Sequence, residues 1–174
     1  MARTFQNIRL FRHMTVLETV MLGMHSKTRS RMLDVLLRTR TLKKAEQEAE
    51  EKAIELLKLT GLEKYRHEYG TSLPYGMQRR LEIARAMAAQ PEILLLDEPA
   101  AGMNEQETSD LSAFIINLRE MGYTIILIEH DMRLVMGICD RLYVLDHGTM
   151  IVMGKPEEIS SNPQVIEVYL GREE

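Results

Sequence analysis

One cysteine, Cys139, stands in 174 residues, so the chain can close no internal disulfide and build neither a cysteine-rich zinc cluster nor a secreted disulfide scaffold. A reducing compartment, the cytosol, is expected. Long apolar runs are missing too. Ile93–Leu96 and Ile125–Ile128 are among the longest, far below the roughly 18 residues that read as a membrane span. The first residues, Met1 to Asn7, carry no apolar core of a secretory signal, so that export route is not expected. Positive charge is not in excess: the net charge is −4, which offers no overall attraction to nucleic acid, and no nucleic-acid partner is expected. Internal repeats, low-complexity tracts and Gly/Ser linkers are absent as well. What remains is one domain of ordinary globular composition, 45% apolar and 28% charged, with room at most for a small subdomain. Its 13 dispersed methionines read as core filler.

Helical and extended patterns alternate along the chain. Thr15 and Glu18 have capping-box spacing and predict a short helix from about Val16 toward Gly23. Between Lys27 and Lys44, seven basic residues stand against Asp34 alone, a net of +6. That segment reads as a solvated face, or as a contact for anionic lipid headgroups or an acidic partner loop. The Ala-, Glu- and Lys-rich stretch Leu42–Leu59 predicts a helix stopped at Gly61. A second helix is predicted from about Met77 to Gln90, where Pro91 ends it, and Glu92–Asp97 then reads as a strand buried on both faces. The same alternation recurs as a helix at about Ser109–Met121 and a second buried strand at Tyr123–Glu129. It favours a parallel sheet in an α/β fold. A short helix at Met132–Ile138, a hairpin turning at His147-Gly148 and a helical tail complete the pattern.

Chemistry concentrates where the predicted strands end. Ile93-Leu94-Leu95-Leu96 delivers Asp97 and Glu98 to the carboxyl edge of the sheet, where open α/β sheets place their ligands. Neighbouring strand residues point to opposite sides, so one acid can hold a hydrated Mg²⁺ while the other reaches a water. The next strand leads to Glu129-His130-Asp131 at the same edge, and an imidazole there can donate to a phosphate oxygen. Leu73-Pro74-Tyr75-Gly76-Met77-Gln78-Arg79-Arg80 precedes a helix, whose first amides attract anions.

These motifs, in this order, resemble the ATP-binding subunits of ABC transporters across the whole chain. Arg3-Thr4-Phe5-Gln6 resembles the Q-loop, Leu73–Gln78 the signature region, Ile93–Glu98 the Walker B strand, Ala100–Asn104 the D-loop and His130 the switch histidine. Pro-Ala-Ala-Gly-Met-Asn at 99–104, Ile-Glu-His-Asp-Met at 128–132 and the closing Asn162–Gly171 look most like branched-chain amino acid importers. The resemblance implies a RecA-like P-loop NTPase core of the ABC type, amino-terminally truncated, with a helical subdomain at about 7–72, a catalytic core portion at about 73–154 and a helical tail at about 155–174. It implies ATP and Mg²⁺ as cofactors. Asp97 would hold Mg²⁺ through water, Gln6 would sense the ion and the attacking water, Glu98 would polarise that water, and His130 would contact the γ-phosphate. Tyr75, Gly76, Gln78 and Asn104 would face nucleotide. A second ATPase subunit and transmembrane permease subunits are the implied partners, on the cytoplasmic face of the inner membrane, without contact with the transported solute.

Two departures qualify these expectations. No Gly-x-x-x-x-Gly-Lys-Ser/Thr run occurs in the sequence, so the phosphate nest, its lysine and the Mg²⁺ hydroxyl ligand are not supplied by these residues. Weak or absent turnover by the isolated chain is expected, with an internal methionine of a longer frame standing at Met1. Pro74 stands where the family has a serine and offers neither hydroxyl nor N–H, which predicts weaker closure of an ATP-bound dimer. A non-catalytic docking module is therefore the alternative to an ATPase, and an unrelated Mg²⁺-dependent hydrolase a more distant one.

Overall fold

The computed structural model describes residues 1–4, 8–24 and 40–170. Gln6, most of the basic segment beginning at Lys27, and Gly171 lie outside the described residues. The chain forms two compact units, 1–128 and 129–174.

In the first unit, a three-stranded parallel sheet has the order β1 (Ala2–Arg3), β2 (Ile93–Asp97), β3 (Thr124–Ile128). Arg3 is level with Leu95, and Asp97 with Ile128. Helices α1 (Val16–Met24), α2 (Arg40–Leu59) and α3 (Tyr75–Ala88) pack on one another, and α4 (Glu105–Glu120) connects β2 to β3. The parallel α/β arrangement expected from the alternating pattern is present.

Local chemistry explains the helix ends. Thr15 and Glu18 form the predicted capping box: the Glu18 amide donates to Thr15 Oγ1 at 3.2 Å, and the Thr15 amide donates to Glu18 Oε2 at 2.8 Å. The backbone bond from Thr15, then its hydroxyl, holds the Glu18 carboxyl below the usual carboxylate range. A depressed folded-state pKa contributes stability that is present above the unfolded value and lost as pH falls through the folded one. Thr15→Ala removes the hydroxyl and keeps the larger backbone bond, so NMR titration should move Glu18 only part of the way back toward its ordinary pKa, and the acid-side loss of α1 protection should become shallower without vanishing. At the other end of α2, Gly61 (φ 73°) follows Thr60, with Leu62 N–H donating to Leu57 O at 2.7 Å and Gly61 N–H to Lys58 O at 3.1 Å. This is a Schellman closure, which requires the left-handed residue that glycine supplies.

Val16, Val20, Ala53, Leu57, Leu62, Leu73, Leu81, Ala84 and Ala88 form the shared core of α1, α2 and α3. Each large aliphatic side chain buried there contributes about 1.5–3 kcal/mol. Gly23 sets the α1–α3 approach: a Cβ at this position would collide with the Arg85 carbonyl oxygen and lie 2.9 Å from Ala88 Cβ. Helix backbone cannot yield as a side-chain tip can, so Gly23→Ala should destabilise the chain by about 1–3 kcal/mol despite alanine's higher helix propensity. Urea unfolding measures this, and an unchanged midpoint would mean that the helices separate at no cost.

Four expectations need correction. Strand β3 is not buried on both faces, since Ile126 and Ile128 are 46% and 48% exposed. It has β2 as its neighbour and lies at the outside of the described sheet, and an apolar run does not distinguish an outer from an inner strand. Strand β2 is fully buried at Leu94 and Leu96 and half-buried on its other face. Helix α4 starts at Glu105 rather than near Ser109, because Asn104 and Glu107 form a reciprocal capping box; α3 likewise begins at Tyr75, two residues ahead of Met77.

The second unit contains α5 (Met132–Ile138), the antiparallel pair β4 (Leu142–Asp146) and β5 (Thr149–Gly154), then α6 (Pro156–Ser160) and α7 (Pro163–Val165), which continues as a π-helix over Ile166–Leu170. His147 and Gly148 both have positive φ, 46° and 79°, as the tight primed turn of a two-residue hairpin demands. Among the described residues no helix is long and apolar enough to cross a membrane.

Candidate functional site

The carboxylates sit where the sequence places them, at the carboxyl end of β2. Asp97 is the last strand residue, and its backbone N–H lies 3.4 Å from Thr4 Oγ1. Its Oδ2 accepts from Arg3 Nη2 at 2.6 Å, an ion pair between residues 94 apart in sequence. The two side chains are 18% and 54% exposed. So open an ion pair is worth at most about 1 kcal/mol, and a hydrated dication can displace the guanidinium at small cost. One carboxylate completed by water and phosphate oxygens suits Mg²⁺, which is rarely caged by protein ligands alone. Among the described residues no group of three or more His, Cys, Asp or Glu side chains is placed to hold a metal. A single carboxylate of this kind fits an ion that keeps its waters.

Glu98 leaves the strand geometry at once. Its N–H extends the ladder to Ile128 O at 2.9 Å, yet its φ is 42°, an uncommon value for a residue with a side chain and one that costs on the order of 1–3 kcal/mol. Its carbonyl accepts the Ala101 N–H at 3.2 Å, closing a turn, and Arg79 Nη2 approaches the same oxygen at 3.5 Å. The carboxylate is thus carried on a backbone that is bent away from β2 and tied at both its N–H and its C=O.

The signature region lies at the start of α3. Pro74 is the N-cap and supplies no side-chain cap; its carbonyl accepts from the Met77 and Gln78 amides. Tyr75 Oη donates to Ala101 O at 2.9 Å, joining the start of α3 to the loop after Glu98. Gln78 Nε2 donates back to Leu73 O at 2.8 Å. Gly76 lies beside Glu107, 3.5 Å from where its Cβ would be. Asn104 Oδ1 accepts from Glu107 N–H at 2.9 Å, as the cap of α4. Tyr75, Gln78 and Asn104, expected to face nucleotide, thus have polar groups engaged within their own chain. Arg80 ties α3 to α4, donating to Asp110 O at 3.0 Å with its guanidinium over the Phe114 ring.

His130 belongs to the second unit, two residues beyond the end of β3. Its side chain is exposed, with Nδ1 3.9 Å from Glu129 Oε2, and Asp131 caps α5 through the Arg133 and Leu134 amides. Gln6 lies outside the described residues. Sequence reasoning missed Arg3, Thr4 and Arg79. The first two are distant in sequence from the acids they meet, and Arg79 reads as one surface cation among several.

A parallel sheet that brings an acid pair to its carboxyl edge, beside a helix whose first turn contains a glycine, is an arrangement consistent with a P-loop NTPase-type α/β core. Comparison with known proteins makes this specific. The ABC transporter family model matches residues 1–101, and the model for the branched-chain amino acid ATP-binding cassette transporter matches residues 149–174. The chain belongs to the ABC transporter family and has the fold of its ATP-binding cassettes. It is 50% identical over 170 residues to the high-affinity branched-chain amino acid transport ATP-binding protein LivG of Salmonella typhimurium, covering 97% of this chain and 67% of that protein. It is 46% identical to BraF of Pseudomonas aeruginosa, a protein of the same description, with the same coverage. A crystal structure of an ABC transporter's ATP-binding cassette in its ADP conformation superposes with a TM-score of 0.79 at 30% identity, covering 98% of this chain and 68% of that one.

Proposed function

We propose that the chain is the hydrolytic portion of an ABC importer's ATP-binding subunit, energising uptake of branched-chain amino acids. The observation that carries this reading is the pair Asp97–Glu98 at the end of β2, with Glu98 turned out of the strand at φ 42°. Similarity to LivG and BraF supports the solute class. Glu98 accepts a proton from water as the water oxygen bonds to the γ-phosphorus and the bond to the β,γ-bridging oxygen breaks, releasing ADP and phosphate. Gln6 orients that water and His130 donates to a γ-phosphate oxygen. Tyr75, Gly76, Gln78 and Asn104 border the nucleotide, chiefly through backbone, since three of these side chains are held within the chain. Asp97 would hold Mg²⁺ through water, and the ion supplies neutralising charge at the phosphates. A second ATPase subunit and permease subunits are the partners, and the cytoplasmic face of the inner membrane is the location. The solute itself is not contacted.

No Gly-x-x-x-x-Gly-Lys-Ser/Thr run lies within the 174 residues, and that favours a second reading, a docking module that does not hydrolyse ATP. Mg-ATP turnover decides between them. The chain alone should turn over negligibly, whereas the chain joined to an upstream segment carrying that loop should hydrolyse ATP. Continued inactivity of a folded, nucleotide-binding fusion would overturn the catalytic reading and leave the docking one.

A further inference from the structure

Helix α3 carries charge into the interior. Arg79 and Glu82 have fully buried side chains and meet at 2.9 Å, Nη1 to Oε2. A buried ion pair is a poor source of net stability, because desolvation offsets the attraction. The further bonds made by this one have an unexpected direction. Glu82 Oε1 accepts the Arg9 backbone N–H at 3.0 Å, and Arg85 Nη1 donates to the Arg9 backbone C=O at 2.7 Å. Arg85 Nη2 also reaches Glu82 Oε1, at 3.5 Å. Both backbone groups of residue 9 are therefore gripped by adjacent turns of α3. At the other end, Arg79 Nη2 approaches the Glu98 carbonyl, the acceptor that also closes the turn to Ala101.

We propose that Arg79, Glu82 and Arg85 are positioning residues that couple the backbone at Arg9 to the backbone at Glu98 through a continuous hydrogen-bonded chain, fully buried at its Arg79–Glu82 centre and partly exposed at Arg85. The strand-leaving conformation of Glu98 then depends on whether the segment following residues 5–7 is seated on α3. A low-dielectric interior strengthens the charge-assisted bond between Arg79 and Glu82, and the α3 backbone fixes the spacing of the three side chains. The functional meaning of this coupling rests on the catalytic reading of Glu98 above; the coupling itself does not.

The test is amide hydrogen exchange of the nucleotide-free 174-residue chain, read by NMR at Arg9, Ala101 and Ala53. Arg85→Gln removes the bond to the Arg9 carbonyl, at a site whose bonds run to Arg9 and Glu82. Exchange should accelerate about tenfold at Arg9 and also at Ala101, while Ala53 in α2 is unchanged. If Arg85→Gln weakens Ala53 as well, Arg85→Lys, which keeps the cation beside Glu82, takes its place. Arg79→Lys keeps the buried charge and withdraws the reach to Glu98; it should accelerate Ala101, and adding Arg85→Gln should then accelerate Ala101 no further. Acceleration at Arg9 alone in the Arg85 variants, or additive effects at Ala101 in the double variant, would overturn the proposal. Because no nucleotide is present, absence of ATP turnover leaves these rates untouched, so failure of the coupling and failure of the catalytic reading are separately visible.

Discussion

Glu98→Gln, placed in the chain joined to a phosphate-loop segment, should lower kcat by at least about 100-fold, the usual scale for loss of a positioned general base. KM and the thermal midpoint should hold. Glutamine keeps the size of the side chain and leaves the backbone bonds to Ile128, Ala101 and Arg79 in place; the φ of 42° is no harder for it to adopt. What it loses is the capacity to accept a proton from water. A loss confined to the transition state appears in kcat and not in substrate binding, and steady-state kinetics separate the two. Asp97→Asn should act differently, raising the Mg²⁺ concentration needed for half-maximal turnover. If Glu98→Gln retained turnover, the proton acceptor would lie elsewhere and Glu98 would be a turn residue held at φ 42° for the loop alone.

The elements that the sequence predicts well are those whose cause is local. Thr15 and Glu18 satisfy each other within one turn, Gly61 ends α2 by its own conformational freedom, and His147-Gly148 turns a hairpin in two residues. The acid pair is legible for a related reason: four aliphatics followed by two acids mark a strand end in any α/β sheet. The capping box at Asn104 and Glu107 is just as local, but its residues coincide with a motif that drew attention to nucleotide instead. What the sequence hides depends on distance. Arg3 and Asp97 meet across the sheet, and the exposure of β3 depends on which strands flank it. Arg79 and Glu82 are the clearest case. Three residues apart on a charged helix, they read as solvated, and both are buried because α3 is enclosed by other elements.

That enclosure sets up the other large effect. Glu82→Ala should cost about 3–5 kcal/mol, since it leaves the Arg79 guanidinium buried opposite a methyl group and deprives the Arg9 amide of its acceptor. The thermal midpoint should fall by about 10 °C or more. Removing the charge from both partners should cost far less. In Arg79→Met/Glu82→Gln, methionine fills the arginine's volume and the glutamine oxygen still accepts from Arg9, so most of the lost stability returns. Calorimetry of Arg79→Met, Glu82→Gln and the double variant completes the cycle, and a double variant as unstable as the sum of those two singles would mean that the pair's attraction is not what their burial opposes. The same double variant also separates stability from positioning. It has nothing at residue 79 to reach the Glu98 carbonyl, so the Ala101 amide should exchange fast even where the midpoint has recovered. A protein that regained its stability and its Ala101 protection together would show that the buried charges serve the fold alone; stability regained without that protection places the function of Arg79 at Glu98.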